Sequence, residues 1–180
     1  MTSPTPVTDA APAHVATPLA AIDQRQLRNA LGTFATGIAI VTAISQSGEK
    51  IGLTINSFNS VSLDPALIVW SLSLNSPRHA DLVAASHFAV NILAADQMDL
   101  SNLFAGRDAE RFANLETCAG LGGAPLIPGC LAWFECANDI HHEGGDHLIF
   151  IGRVERVTLG EAKPPLIFHG GRYRELAADA

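Results

Sequence analysis

A chain of 180 residues with 48% apolar and 16% charged side chains has the balance of one globular domain, not of a disordered segment or of two full domains. Its formal net charge of −7, with no block of Lys or Arg, argues against nucleic acid and against an anionic membrane surface as partners. Any phosphate bound here must be met locally, by a few basic side chains, hydroxyls and backbone N–H groups.

Residues 1–20 repeat Pro, Thr and Ala with few large apolar side chains, too few to offset the entropy of ordering, and read as a disordered N-terminal tail. They hold no basic stretch leading into an apolar run, and no apolar run in the chain approaches the roughly 20 residues of a membrane span, so a cytoplasmic protein without a membrane partner is expected. The domain proper is set at 21–176, with a short C-terminal tail over 177–180. A helix is predicted from Asp23, its candidate N-cap, to Ala35, with Leu27, Ala30, Leu31 and Phe34 on one face and Gly37 as the stop.

The run from Gly37 to Ser45 is β-branched and apolar on both faces, and with the turn-like QSGEK and the strand IGLTINSF it makes a hairpin. A strand over Leu67 to Leu74, a short helix over Pro77 to Ala85, a strand from His87 and a helix over Gln97 to Ala105 follow. Residues 106–128 end in GLGGAPLIPG and read as a long surface excursion. Strands over Leu131 to Ile140 and Leu148 to Thr158 flank a turn at Glu143 to Asp146, and PLIFHGGRY supplies one more. Six or seven strands, apolar on both faces, with few helices, suggest a small closed barrel with helices packed outside.

Three cysteines, Cys118, Cys130 and Cys136, without a CxxC pair, fit core or incidental thiols better than a disulfide framework or zinc knuckle. The cluster from His141 to His147 gathers three His with Glu143 and Asp146, yet neighbouring His141 and His142 point to opposite faces of a strand and EGGD is a turn, so the ligands do not converge and no metal is expected. No GxGxxG follows a strand, which removes the usual α/β dinucleotide site. In Asn75-Ser76-Pro77-Arg78-His79 a turn opens a helix, where free N–H groups favour an anion, so Ser76 and Arg78 are candidate phosphate contacts; Ser76 as a plain N-cap and Arg78 as a solvated charge is the competing reading.

The ordered blocks FATGIAIVT, GLTINSFNSVSLDPALIVWSL, HFAVNILAADQMDLSNLFAG, EGGDHLIFIGRV and PLIFHGGRY resemble the flavin reductase family, the small reductase components of two-component flavin monooxygenases, from about Gln24 to Tyr173. The resemblance implies a mainly β fold, a six-stranded antiparallel Greek-key split β-barrel with a few flanking helices, assembled as a homodimer. It implies FMN or FAD as flavin, NADH or NADPH as co-substrate, and a flavin-dependent monooxygenase as the partner that receives reduced flavin. A non-catalytic flavin-binding protein and a flavin-dependent oxidoreductase acting on another acceptor remain as alternatives.

By the same likeness, Thr54, Ile55, Asn56, Ser57 and Phe58 form the flavin-edge segment, with Ile55 turned away, and Ser60 and Val61 also approach the cofactor. Asn75, Ser76, Arg78 and His79 lie at its phosphate or ribityl chain. Gly145, Asp146 and His147 sit beside the nicotinamide, with His147 the candidate catalytic contact; a structural histidine capping the turn is the competing reading. Thr36, Gly37, Arg172 and Tyr173 are further cofactor positions, and Arg111-Phe112 could reach the nucleotide end of FAD. Asn91 and Asp64-Pro65 belong to the same blocks, but a polar side chain bonding backbone and a turn account for them. Cys136 reads as core.

Overall fold

The computed structural model describes residues 22–106 and 111–176, so both expected tails lie outside the described residues. Helix α1 (Gln24–Leu31) starts where Asp23 accepts a hydrogen bond from the Arg25 N–H at 2.9 Å, and ends at Gly32. Strands β1 (Thr36–Gly37) and β2 (Ala39–Ile44) follow, and β2 turns through Gly48, at φ 84°, into β3 (Lys50–Ile55). Residues Asn56, Ser57 and Phe58 lead to β4 (Asn59–Leu63), which returns through Asp64-Pro65 as β5 (Ala66–Ser73). Helix α2 (His79–Ala84), β6 (His87–Ile92), a single 3-10 turn at Ala95–Gln97 and α3 (Met98–Ala105) come next. The small hairpin β7 (Cys118–Ala119) and β8 (Pro125–Leu126) precedes the long hairpin β9 (Ala132–Gly144) and β10 (His147–Leu159), and the chain closes with β11 (Ile167–His169) and β12 (Arg172–Arg174).

Seven strands form one antiparallel sheet in the order β3-β2-β6-β9-β10-β5-β4. One face of the sheet supplies a single core: Val41 of β2, Ile51 and Ile55 of β3, Trp70 and Leu72 of β5, Phe88 of β6, Cys136 of β9 and Phe150 of β10 are all buried together. Trp70 stacks on Phe150 with ring centroids 4.2 Å apart and meets Phe88 edge-on at 5.6 Å. Residues from the edge strand β3 and from β5 thus share one cluster, so the sheet curls on itself. Its two edges, β3 and β4, do not pair with each other among the described residues; they are joined by the link Asn56–Phe58.

The other face of β2 is covered as well, which explains a strand apolar on both sides. Ile38, Ile40, Leu93, Phe104, Ile127, Cys130 and Leu166 form a second core beneath α3, and the sheet β1-β11-β12 lies over it. Gly52 permits the close approach: a Cβ there would sit 3.0 Å from the Phe104 ring and 3.1 Å from the Val41 carbonyl. Cys130 and Cys136 are core thiols, as expected, and burial pushes both up to about 12.

Three expectations need correction. The first helix stops at Leu31, not Ala35, because the chain turns at Gly32, and its apolar stripe stays exposed, with Leu31 at 66% and Phe34 at 72%. The strand expected over IGLTINSF ends at Ile55, and a new strand, β4, begins at Asn59 and carries Ser60 and Val61. Residues 106–128 are not all surface: Ala124 and Ile127 are buried, because Thr42 donates to the Pro125 carbonyl and the Ile127 N–H donates to Asn91 Oδ1 at 2.8 Å. Asn91 itself donates to the Ile40 carbonyl and to Thr42 Oγ1, both at 3.0 Å, which is the structural role its sequence context suggested.

Candidate functional site

The β5 sequence alternates, with Ile68, Trp70 and Leu72 inward and Ser71 and Ser73 on the opposite face. Register places His147 directly across from Ser73, so the start of β10 lies on the same face as these hydroxyls. A cavity of about 360 Å³ opens there, lined by Leu53, Thr54, Asn56, Ser57, Ser76 and His147 among others. Three separate stretches of sequence, the link after β3, the turn before α2 and the tip of the long hairpin, therefore converge on one slot of ligand-pocket size.

The link is stapled where it crosses β5: Ser57 Oγ accepts from the Ser71 N–H at 3.0 Å. Thr54 Oγ1 is committed to the Ser101 carbonyl of α3 at 2.7 Å, so its hydroxyl anchors the strand. Ile55 is buried, as its alternation required. Asn56 is exposed, and its side chain makes no hydrogen bond to the described residues. Phe58 leaves the slot and packs on Phe134, ring centroids 5.3 Å apart. Ser60 and Val61, on β4, do not line it.

Before α2, Ser76 Oγ accepts from the Arg78 N–H at 3.3 Å, and Arg78 occupies the N-cap position without a side-chain capping bond. Arg78 has no carboxylate partner among the described residues. Asn75 is exposed with its N–H on Ser73 Oγ at 3.3 Å, and it does not line the slot. His79 begins α2 with its Nε2 buried and unpartnered.

At the hairpin tip Gly145 takes φ 73°, a left-handed turn conformation, and the Leu74 N–H donates to the Asp146 carbonyl at 3.0 Å, tying the turn to the end of β5. His147 Nδ1 lies 2.7 Å from Asp146 Oδ1, which fixes the ring and leaves Nε2 without a partner. That bond to His147 holds the Asp146 carboxyl below its usual range. His141 is spent elsewhere: its Nε2 meets Asn138 Oδ1 at 2.8 Å and its ring meets Phe150 edge-on, while burial, then His142 and His79, hold its pKa down. No group of His, Cys, Asp and Glu among the described residues could hold a metal.

A second cavity, of about 450 Å³, adjoins the first through their shared residue Asn56 and runs under α1. Thr36 lines it, and so does Arg28, which the sequence reading did not single out; a lone helical Arg carries no signal of its own. Gly37 instead lines a third, apolar cavity of about 370 Å³ beside Phe58 and Phe134. Arg172 is exposed beside Gly171, and Tyr173 is committed, its hydroxyl lying 2.9 Å from both Ser101 Oγ and Asn102 Oδ1. Arg111 is buried and donates to the Gly52 carbonyl at 2.9 Å, beside Phe112, which packs on Phe104. Neither lines the slot.

The donor set of the slot suits a flavin: the Asn56 amide, the hydroxyls of Ser57, Ser71, Ser73 and Ser76 and the His147 ring line it together with the apolar Leu53. Residues 31–177 match the family described as Flavin reductase like domain. The chain is 45% identical over 151 residues to the FMN reductase (NADH) SmoA of Agrobacterium fabrum, covering 84% of this chain and 85% of that one. It is 46% identical over 134 residues to the reductase component of the flavin-dependent trigonelline monooxygenase of Acinetobacter baylyi, covering 74% of this chain but only 43% of that protein. The Streptomyces globisporus NADH:FAD oxidoreductase SgcE6, solved with NAD and FAD fragments, superposes with TM-score 0.82 at 40% identity, covering 88% of this chain and 95% of that one. The chain belongs to the flavin reductase-like family.

Proposed function

We propose that this protein is an NAD(P)H:flavin oxidoreductase that reduces FMN or FAD and passes the reduced flavin to a partner flavin-dependent monooxygenase. The observation that carries this reading is the slot itself, where the Asn56-Ser57 link, the Ser76–Arg78 turn and His147 meet on one face of the sheet. Bound there, a flavin accepts a hydride from the reduced nicotinamide. Ser57 and Asn56 present an edge of polar groups to the flavin ring, and Ser76 with Arg78 meets the phosphate by charge-assisted hydrogen bonds. His147, its ring held by Asp146, offers Nε2 to the nicotinamide carboxamide. Positioning is the catalytic device, since hydride transfer needs a close approach of about 3–3.5 Å and no side-chain acid.

The curling of the seven-stranded sheet, whose unpaired edges β3 and β4 are joined by a link of three residues, supports the finer description of a Greek-key split barrel, split and not closed, with seven strands in place of the six expected. The exposed apolar residues Val61 and Leu63 on β4 and Val157 and Leu159 on β10, the two strands that flank β5, support a homodimer, since exposed apolar surface of this kind is what a second copy covers. Among the described residues no helix is long and apolar enough to cross a membrane, in keeping with the cytoplasmic setting proposed for it.

The test is NADH and NADPH oxidation by the purified protein in air, with and without added FMN, FAD or riboflavin. Strong stimulation by free flavin is expected. Flavin binding without pyridine-nucleotide oxidation would overturn the reading in favour of a binding protein, and turnover of a tightly held flavin that ignores added flavin would favour another acceptor.

A further inference from the structure

We propose that Asn138 and His141, on β9, are positioning residues that hold α2, and with it the Ser76–Arg78 turn, at the phosphate end of the flavin slot. The inference rests on the proposed function, because it takes that turn to meet the flavin phosphate. Neither residue lines the slot, so both act through the turn.

The long hairpin supplies the placement. Ile140 pairs with Ile151 and Ala137 with Arg153, so Asn138 and Asp139 face the single residue Gly152 across a β-bulge. Strict alternation sets residues three apart on opposite faces of a strand. The extra residue of the bulge instead brings Asn138 and His141 together, with His141 Nε2 2.8 Å from Asn138 Oδ1. The His141 ring is fixed in turn by its edge-on contact with Phe150, a residue of the core.

Asn138 spends the rest of its amide on α2. Its Nδ2 donates to the Leu82 carbonyl at 2.7 Å and to the Ala85 carbonyl at 2.8 Å, two of the carbonyls that the end of a helix leaves without intrahelical partners. Its backbone N–H donates to the Ser86 carbonyl at 3.1 Å, just past the same end. Two acceptors on Nδ2 settle which way the amide points, so Oδ1 faces His141 and His141 Nε2 carries the proton between them.

Helix α2 needs such a clamp. It has six residues, too few to hold a helix in water unaided, no side chain caps its start at Arg78, and Leu82 is its one buried residue. Whatever fixes α2 also fixes the turn, because the His79 N–H donates to the Ser76 carbonyl and the Leu82 N–H to the Arg78 carbonyl, both at 3.0 Å. Arg78 in turn donates its N–H to Ser76 Oγ, and Ser76 lines the slot. A run of hydrogen bonds thus leads from His141 through Asn138, Leu82 and Arg78 to a hydroxyl at the slot.

The experiment titrates the wild-type protein and the variants Asn138→Ala, His141→Leu and His141→Gln with FMN and with riboflavin, which has the same ring and ribityl chain and no phosphate, and follows the thermal unfolding of each. Asn138→Ala should raise the dissociation constant for FMN about fivefold and that for riboflavin by at most about twofold. His141→Leu leaves both α2 carbonyls bonded, so it carries the test if Asn138→Ala does not fold, and it should raise the FMN constant about two- to threefold. His141→Gln, whose amide can donate to Asn138 Oδ1, should restore it. Combined with Ser76→Ala, Asn138→Ala should add little, since both act through one hydroxyl. Equal weakening of FMN and riboflavin, unchanged FMN affinity with a lowered unfolding midpoint, or full additivity with Ser76→Ala would each overturn the proposal and leave the pair a structural role alone. A wild-type protein that binds riboflavin as tightly as FMN would instead break the proposed placement of the phosphate, and this inference with it, before any variant is compared.

Discussion

Two asparagines of the same curled sheet have opposite fates. Asn91, in the middle of β6, is fully buried and spends both ends of its amide on Ile40, Thr42 and Ile127. Asn56, just past the end of β3, is exposed, bonds to no described residue and faces two cavities. Around Asn91 the neighbours are saturated in the same way: Glu135 is bonded by Arg156 and by the Leu121 N–H, and Gln97 by Ala94 and Pro128. His147 Nε2 and Thr36 Oγ1, whose residues line the same two cavities as Asn56, have no protein partner among the described residues. Saturated polar groups hold the fold together, and unsaturated ones are held in readiness for something else.

The sharpest way to break that contrast is to truncate both asparagines. Asn91→Ala strands the Ile127 N–H in the core, removes the side-chain bonds to the Ile40 carbonyl and Thr42 Oγ1, and should destabilise by ~3 kcal/mol, at the upper end of the cost of about 1–3 kcal/mol for a buried group left unpaired. Asn56→Ala should leave stability within about 0.5 kcal/mol of wild type and weaken flavin binding severalfold. Urea unfolding and flavin titration of the two variants check both halves.

Glu135 sharpens the saturated side through pH. The Arg156 hydrogen bond, helped by the Leu121 N–H against the opposing effect of burial, holds its carboxyl below the usual range. A depressed folded value means that the unfolded chain takes up the proton first, so the stabilisation is present above the ordinary carboxylate range and is lost as pH falls through the folded value. Glu135→Gln should therefore lose ~1–2 kcal/mol at neutral pH, in the range for a hydrogen bond to a charged group, and should show a flatter acid limb in urea unfolding followed across pH.

How much of this was legible in the sequence follows the same division. The core strands, both hairpins and the buried fate of Asn91 and Cys136 could be read because alternation and β-branching report burial directly. The 3.6-residue stripe of α1 was also legible, but a stripe says only that a face is apolar and not that this chain covers it; Leu31 and Phe34 stay exposed. The buried turn at Ala124–Ile127 was missed because its Gly and Pro content signals a loop, while what buries it is a hydrogen bond to Thr42, 83 residues away in sequence. Of the residues expected at the site, the fold gathers His147, Ser76 and the Asn56-Ser57 link about one cavity, whereas Thr54 and Tyr173 spend their hydroxyls on α3. Side-chain type shows what a residue can bond, and only the fold shows whether that bond is already taken.

On the unsaturated side, His147→Ala should lower kcat by ~10-fold, since misplacing a reactant by about 1 Å costs up to 100-fold, while the flavin dissociation constant changes less than threefold. The ring is half exposed and its one bond is to an exposed carboxylate, so the unfolding midpoint should hardly move. Stopped-flow reduction of the bound flavin separates the two effects. A loss of binding equal to the loss of rate would place His147 with the flavin-holding groups and not with the nicotinamide.

Ser57 tests the boundary between the two classes, because it both lines the slot and bonds within the protein. Its hydroxyl accepts from the Ser71 N–H at 3.0 Å across the crossing point of the link and β5. Were this bond of the Asn91 kind, Ser57→Ala would cost well over 1 kcal/mol, because a stranded buried N–H cannot be repaired. Ser57 is exposed, however, and the slot is open, so water can take the place of the lost hydroxyl. The expected loss of stability is therefore only ~0.5 kcal/mol. Freed from β5, the link gains mobility, and the flavin dissociation constant, read by quenching of flavin fluorescence, should rise two- to threefold. A larger loss of stability with unchanged flavin affinity would move Ser57 to the structural side and leave Asn56 alone as the polar edge of the slot.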